Sequence, residues 1–548
     1  MTVHEHQADE HLSEHPAGIA GAATSSAEVL VVGAGHNGLV AAILAAEQGL
    51  RVTLLERSDH LGGASISAEV FTGHDARLSR YSYLVSLFPP ELLERLGVSV
   101  RLLERTVSSY TPCTVDGVPT GLLVERDPGA ATRKSFRAVT GTDHDFDAWQ
   151  QFYGELAAMA RVVAPALRGP LQRRAEVRDA VIAAAGSPLW DDVFERPIGE
   201  AISRRFADDV VRGVVATDAL IGTHTSLFAP ELLANRCFLY HLIGRGTGEW
   251  LVPEGGMGAV SGALVARAVE LGVEIRCGVA VQAVTESPAG VSVLARDAGG
   301  VDVTVTAGHL LAAVGPAVVD RWRGLDPQPV TGAQLKVNLL LTRLPALASG
   351  ADPVQVFAGT THLHEGFATL EQAYVDSAAG ILPDPLPAEI YCHSLTDPSI
   401  LGSAAGTTAA TITLFGLHAP VELFRADPDG MRDRAVAAAL RALQQYLAEP
   451  LEDVLALDAD GRPCIDVATP VDLEQSLAMP GGNIFHADLS WPFADDDEDL
   501  STPARRYGVE VAGSERILMA GAGSRRGGGV SGLGGEAAVD ALLELLHP

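Results

Sequence analysis

The chain has 548 residues, 47% of them hydrophobic, and a formal net charge of −30 at pH 7. This length accommodates two or three domains with a large core, while the acidic balance excludes nucleic acid as a partner, because phosphate binding needs basic patches, and argues against strong attraction to anionic lipid. Cys113, Cys237, Cys277, Cys392 and Cys464 lie too far apart for a zinc ribbon or a C-x-x-C redox pair and suggest a reducing, cytoplasmic setting.

Residues 1–26 are acidic and carry His4, His6, His11 and His15; they read as a disordered tail, with neither the apolar core nor the cleavage site of a signal peptide. Val29–Val32 is an apolar run expected of a strand buried on both faces. Gly33, Gly35 and Gly38 follow as G-x-G-x-x-G. In that pattern the first glycine permits a tight turn, the second lets backbone approach a pyrophosphate, and the third lets the next helix pack on the strand. That helix runs from about Asn37 to Gln48, with a phosphate favoured at its N-terminus. Arg51–Leu55 is a second strand, and Glu56 after it, followed by Arg57, is placed to accept both ribose hydroxyls of an adenosine. A further glycine pair, Gly62-Gly63, precedes Ala64 and Ser65.

Helical patterns dominate from about His144 to Ile243. Gly255-Gly256 introduces a helix through Glu270, followed by strands at Val273–Arg276 and Val279–Val284 (the latter containing Val281), a hairpin from Gly290–Arg296 and Val301–Thr306, and a strand at His309–Val314. Gln334–Leu341, Ala388–His393 and Thr408–Leu414 read as strands, and Met431–Leu447 as an amphipathic helix. At the C-terminus, strand Ile517–Ala520 leads through Gly521 and Arg525-Arg526 to a glycine-rich turn and a helix from about Ser531 to Leu546. No apolar stretch reaches membrane-spanning length, and no His/Cys/Asp cluster has metal-ligand spacing, so no metal is expected.

The motifs VVGAGHNGLVAA, RYSYLVSLFPPEL, TDALIGTHTS, PEGGMGAVSGAL, QLKVNLLLTRLP and PGGNIFHADLS, with the glycine-rich C-terminus, resemble the phytoene desaturase-like flavoproteins of the flavin amine oxidase superfamily, and most closely the pyridine nucleotide-disulphide oxidoreductase domain 2 branch. The resemblance implies an α/β fold: a Rossmann-like, discontinuous FAD-binding domain (27–110, 251–325 and 481–548) with a mixed-sheet substrate domain (111–250 and 326–480), whose first part forms a helical cap. It implies non-covalent FAD and hydride transfer to flavin N5. The glycine pair would pass the pyrophosphate. Its usual continuation is Gly-Gly-Arg; Ala64 removes that cation. Gly529, Val530, Ser531, Gly532 and Leu533 would present a helix N-terminus to the flavin.

For chemistry the candidates are Lys336, His486, Asp488 and Arg525. Lys336 occupies a strand position where flavin amine oxidases keep a lysine; a snorkelling strand lysine is the plain alternative. His486 reads as a proton acceptor or as a structural histidine, Asp488 as its neighbour, and Arg525 as a counter-charge or a loop cation. The expected substrate is extended and largely apolar, such as a polyene or isoprenoid, which a membrane surface could deliver without a spanning segment. No second complete glycine motif lies mid-chain, so electrons are expected to leave to oxygen, a quinone or another acceptor rather than come from NADPH. Two other readings stay open: an amine oxidase and a flavin-binding scaffold without turnover. The oligomeric state is not fixed by the sequence.

Overall fold

A computed structural model describes residues 25–246 and 248–547; nearly all of the acidic, His-rich N-terminal segment lies outside them. Two seven-stranded sheets organise the chain. In the first, Ser25–Val32 lies between Val52–Leu55 and Asp302–Ala312, parallel to both. Glu274–Arg276 extends one edge. The antiparallel hairpin Ala280–Ser287/Gly290–Arg296 pairs with the first half of Asp302–Ala312, and Ile517–Met519 runs parallel to its second half. Three distant stretches of sequence thus share one sheet. Val29, Leu30 and Val31 are fully buried, as an apolar strand covered on both faces requires.

Asp302–Ala312 is one strand where the sequence suggested two. Gly308, between the two expected segments, marks a close approach: a Cβ there would stand 3.0 Å from the Glu28 carbonyl oxygen. Helix His36–Glu47 packs between the sheet and the helices Met257–Glu270 and Leu533–Leu546. Every residue from Asn37 to Ala45 is buried, which explains why this helix is apolar all round rather than striped.

The second sheet has the order Ile465–Ala468, Leu335–Leu341, Ala410–Gly416, Ala388–Tyr391, Thr360–Leu363, Val107–Val115, Val118–Glu125. The last hairpin was not anticipated, and the sequence boundary between residues 110 and 111 falls inside its first strand. Thr360–Leu363 was also missed; it is only four residues long, too short for a periodicity signal. Helices including His144–Val163, Asp209–Thr217 and Leu233–Ile243 form the expected cap around an aromatic core of Phe136, Phe146, Trp149, Phe152 and Phe238. Ala388–Tyr391 stops short of His393, which begins a helical turn. No helix among the described residues is long and apolar enough to cross a membrane.

Candidate functional site

A single cavity of about 560 Å³ runs from the tip of the first sheet to the second sheet and the cap helices. Its first end is made of backbone. Gly33 takes φ +99°, and a Cβ there would come within 2.7 Å of the Ala313 carbonyl oxygen; at Gly38 a Cβ would come within 1.9 Å of the Gly33 oxygen. Both are therefore locked to glycine by sterics. Gly35 differs: a Cβ there would meet nothing within 4 Å, so the space above it is open to a ligand. Gly35 is the N-cap of helix His36–Glu47, which has no side-chain cap and no acidic residue in its first turn. Its free N–H groups and dipole suit an anion.

Gly33, Gly35, Asn37, Glu56, Arg57, Gly63, Ala64, Val281, Gly521, Gly529 and Val530 all line the cavity. Glu56 accepts the Ala34 N–H at 2.8 Å through Oε2 and the Ser58 N–H at 2.9 Å through Oε1, which fixes its carboxylate at the rim. Arg57 donates to the Gln475 carbonyl at 2.7 Å. Gly38, Gly62 and Ser65 stand behind the wall. So do Ser531, Gly532 and Leu533, because the last helix starts only at Leu533 after a turn in which Gly532 takes φ +72°; the C-terminal contribution to the wall is Gly521, Ala522, Gly529 and Val530.

Lys336 and His486 reach the cavity; Asp488 and Arg525 do not. Asp488 is exposed to solvent. Arg525 is held by Glu498 and the Trp491 and Phe493 carbonyls. Its neighbour Arg526 is buried and donates to the Tyr507, Leu167 and Gly169 carbonyls, knitting the cap to the C-terminal segment. Neither arginine fills the place left by Ala64. Outside the cavity wall, Arg525 fits the loop-cation alternative rather than the counter-charge, and Asp488 faces solvent rather than the cavity.

Lys336 is one of two lysines in the chain and is 3% exposed. Its Nζ donates to the Ser79 and Tyr81 carbonyls, each at 2.6 Å, and lies 5.0 Å from the Tyr83 ring centroid. Desolvation pushes its pKa well below the usual lysine range, against the opposing pull of Asp466. Burial disfavours the charged form, and two carbonyls fix the head group, so the amine is placed to exchange a proton or anchor a water. The snorkelling alternative fails, since the head group is the buried end. Burial pushes His486 down to about 4, and its Nδ1 has no hydrogen-bond partner.

A family model described as an NAD(P)-binding Rossmann-like domain matches residues 31–96. Uncharacterized proteins of Mycobacterium bovis and Mycobacterium tuberculosis are 46% identical over 529 residues, covering 95% of this chain and 97% of their own. The mouse pyridine nucleotide-disulfide oxidoreductase domain-containing protein 2 is 28% identical over 571 residues, covering 94% of this chain and 93% of its own. Among solved structures, putrescine oxidase bound to putrescine superposes with a TM-score of 0.54 at 18% identity, over 96% of this chain and all of that one. Cyclohexylamine oxidase from Brevibacterium oxydans gives 0.52 at 16%, over 95% and 100%. The chain belongs to the family of these mycobacterial proteins and shares the fold of the amine oxidases.

The residues at the first end fit a dinucleotide. The open space at Gly35 and the uncapped helix beside it offer a phosphate cradle, and Glu56 offers a carboxylate at sugar distance along the chain. His36, which the sequence reading passed over, belongs to this cradle. Its Nε2 lies 3.1 Å from the Gly529 carbonyl oxygen and its pKa is pushed down to about 4 by burial, so it stays neutral and ties the first glycine loop to the last.

The cavity's far end holds a second unanticipated group: Arg105, Thr217, Asp218, His362, Glu389 and Tyr391. The Tyr391 hydroxyl and Thr217 Oγ1 both donate to the Glu389 carboxylate. Burial raises Glu389 above the usual range and Asp218 to about 8. These residues come from the end of a cap helix, the loop at Arg105 and two strands, far apart in sequence. No local motif marks them; only the pairing of His362 with Glu389 across adjacent strands does.

Proposed function

We propose that the chain is an FAD-dependent dehydrogenase or oxidase that takes hydride from an extended, largely apolar molecule, a polyene or isoprenoid in class, with the electrons passed to oxygen, a quinone or another acceptor. The observation that carries this reading is the single cavity joining the phosphate cradle to a chamber walled by Trp149, Tyr153, Val214 and Ile221 from the cap and Phe415 and Phe485 from the opposite side. Such a chamber suits an apolar body and excludes water.

FAD, held without a covalent bond, would supply the hydride acceptor. The chain's own residues would do the rest. The first turn of helix His36–Glu47 would hold the pyrophosphate, and Glu56 the adenosine ribose. The apolar walls would orient the substrate. Lys336 would receive, or relay through a water, the proton that leaves with the hydride. One observation favours a second reading, amine oxidation: Glu389 and Asp218 on the same wall could pair with an ammonium group.

The test begins with the visible spectrum of the purified protein and the identity of the cofactor released by denaturation. Anaerobic mixing with polyene or isoprenoid compounds, and separately with amines, then follows flavin bleaching. The expected result is released FAD, bleached by the apolar class and not by NADPH. Bleaching by amines alone transfers the proposal to the second reading. A firmly bound flavin that none of these reduces leaves the scaffold role, and a colourless protein that refuses FAD overturns all three.

A further inference from the structure

At the far wall of the cavity, three buried side chains converge: the ligand atoms of His362, Glu365 and Glu389 lie within 4.8 Å of one another. The convergence is dictated by register. His362 and Glu389 are directly opposed on the antiparallel strands Thr360–Leu363 and Ala388–Tyr391, so both project from the same face. Glu365 returns to that face from the turn that follows.

Glu365 is 2% exposed, and neither of its carboxylate oxygens has a hydrogen-bond partner. The neighbouring Thr217 hydroxyl has one proton, which goes to Glu389 at 3.0 Å. A buried carboxylate left this way is costly unless a cation or a proton compensates it. His362 is already oriented for ligation. Thr111 Oγ1 lies 2.8 Å from its Nδ1, leaving Nε2 free, and such outer contacts fix the ring of a metal-bound histidine. The surrounding charges agree. Glu365 and Asp218 both lie close enough to interact with Glu389, and of the three only Glu389 interacts with the buried Arg105 guanidinium.

We propose that His362, Glu365 and Glu389 form a binding site for a divalent transition-metal ion, with open coordination positions toward the substrate chamber. One nitrogen and two carboxylate ligands suit zinc or manganese. Bonds of about 2.1 Å require ligand atoms no more than about 4.2 Å apart, which a modest side-chain rotation achieves. His362 and Glu389 lie on the cavity wall and Glu365 behind it, so the ion's free positions would meet an oxygen of the bound molecule or a water. Sequence spacing hid this set, since two ligands come from H-x-x-E and the third from a strand more than twenty residues on. The site stands whatever the flavin's substrate proves to be.

The experiment uses the full-length, flavin-loaded protein without an added tag. It is stripped with a chelator, titrated separately with Zn²⁺ and Mn²⁺, and read by elemental mass spectrometry after gel filtration. The parent protein should hold one ion per chain that Glu365→Gln does not hold, with affinity at least tenfold weaker in the variant. The flavin spectrum should be unchanged, which checks the fold. Histidines 4, 6, 11 and 15 bind alike in both proteins, so only the difference counts. His362→Asn serves as the second variant should Glu365→Gln lose its flavin. No uptake beyond that tail, or equal uptake by parent and variants, overturns the site and leaves Glu365 and Glu389 sharing a proton.

Discussion

The two ends of the cavity are built from different materials. The cradle at Gly33–Gly38 and Gly529 is backbone: bare N–H groups, a helix without a cap and positions where a Cβ has no room or too much. The far end is side chain: Lys336, Arg105, Asp218, His362 and Glu389, buried ionisable groups carried by distant elements. Backbone sites leave a mark on local sequence, because only glycine satisfies them. Side-chain sites assembled by strand register leave none that a single stretch of sequence reveals.

That contrast can be broken first at the glycines. Gly38→Ala forces a methyl against the Gly33 carbonyl oxygen, where a Cβ would stand at 1.9 Å. It should cost about 3 kcal/mol or more, read as a lowered urea midpoint and a largely insoluble product. Gly35→Val, three residues earlier, has free space and an extended backbone at φ −67°, ψ 169°. Its stability should stay within about 1 kcal/mol of the parent while flavin affinity, followed by fluorescence quenching, falls on the order of 100-fold by loss of phosphate contacts. A Gly35→Val protein that binds flavin normally would refute the cradle.

At the side-chain end the expectation reverses, with cofactor kept and chemistry lost. Lys336→Met should retain its flavin spectrum and be reduced by substrate about 100-fold more slowly, the usual scale for a lost proton acceptor. An unaltered reduction rate in stopped flow would return Lys336 to a packing role.

The smallest effect concerns acid stability. His418 is buried with both ring nitrogens unpartnered, and desolvation, helped by His224, holds its pKa at about 3. The unfolded chain binds this proton near pH 6.5 and the native state does not. The stability associated with the neutral ring is therefore complete above pH 6.5 and drains away as pH falls toward 3. His418→Asn, which tolerates the residue's φ of +55°, should flatten the slope of unfolding free energy by about 1.4 kcal/mol per pH unit in that window. Parallel slopes for parent and variant would mean that His418 is hydrated.

Much of the first sheet was legible because its strands are apolar runs ended by glycine: helix Met257–Glu270 and strand Gly290–Arg296 lie where the sequence put them. The resemblance, rather than the apolar pattern, singled out Lys336, which does line the cavity. Local sequence failed for Asp488 and Arg525, which sit close in sequence to cavity residues but turn to solvent or to Glu498. It failed also for the hairpin Val107–Val115/Val118–Glu125, whose Ser, Thr and Pro residues blur the two-residue alternation of a strand. Glu365 and Glu389 were invisible for a third reason, since a carboxylate in a sequence reads as surface until a fold encloses it.

The way the first sheet is stitched also bears on how the protein is made. Helix His36–Glu47 is buried partly by Leu533–Leu546, with Gly535 pressed against Asn37, and Ile517 follows Val32 by 485 residues. At ribosomal speeds of about 5–20 residues per second, that separation is roughly 25–100 s. Throughout it a helix buried along its whole centre in the native fold waits on the nascent chain without its cover. Synthesis of this protein is therefore a long exposure to chaperones and proteases that ends only with the last helix, and a premature stop near the C-terminus removes that cover as surely as a core mutation.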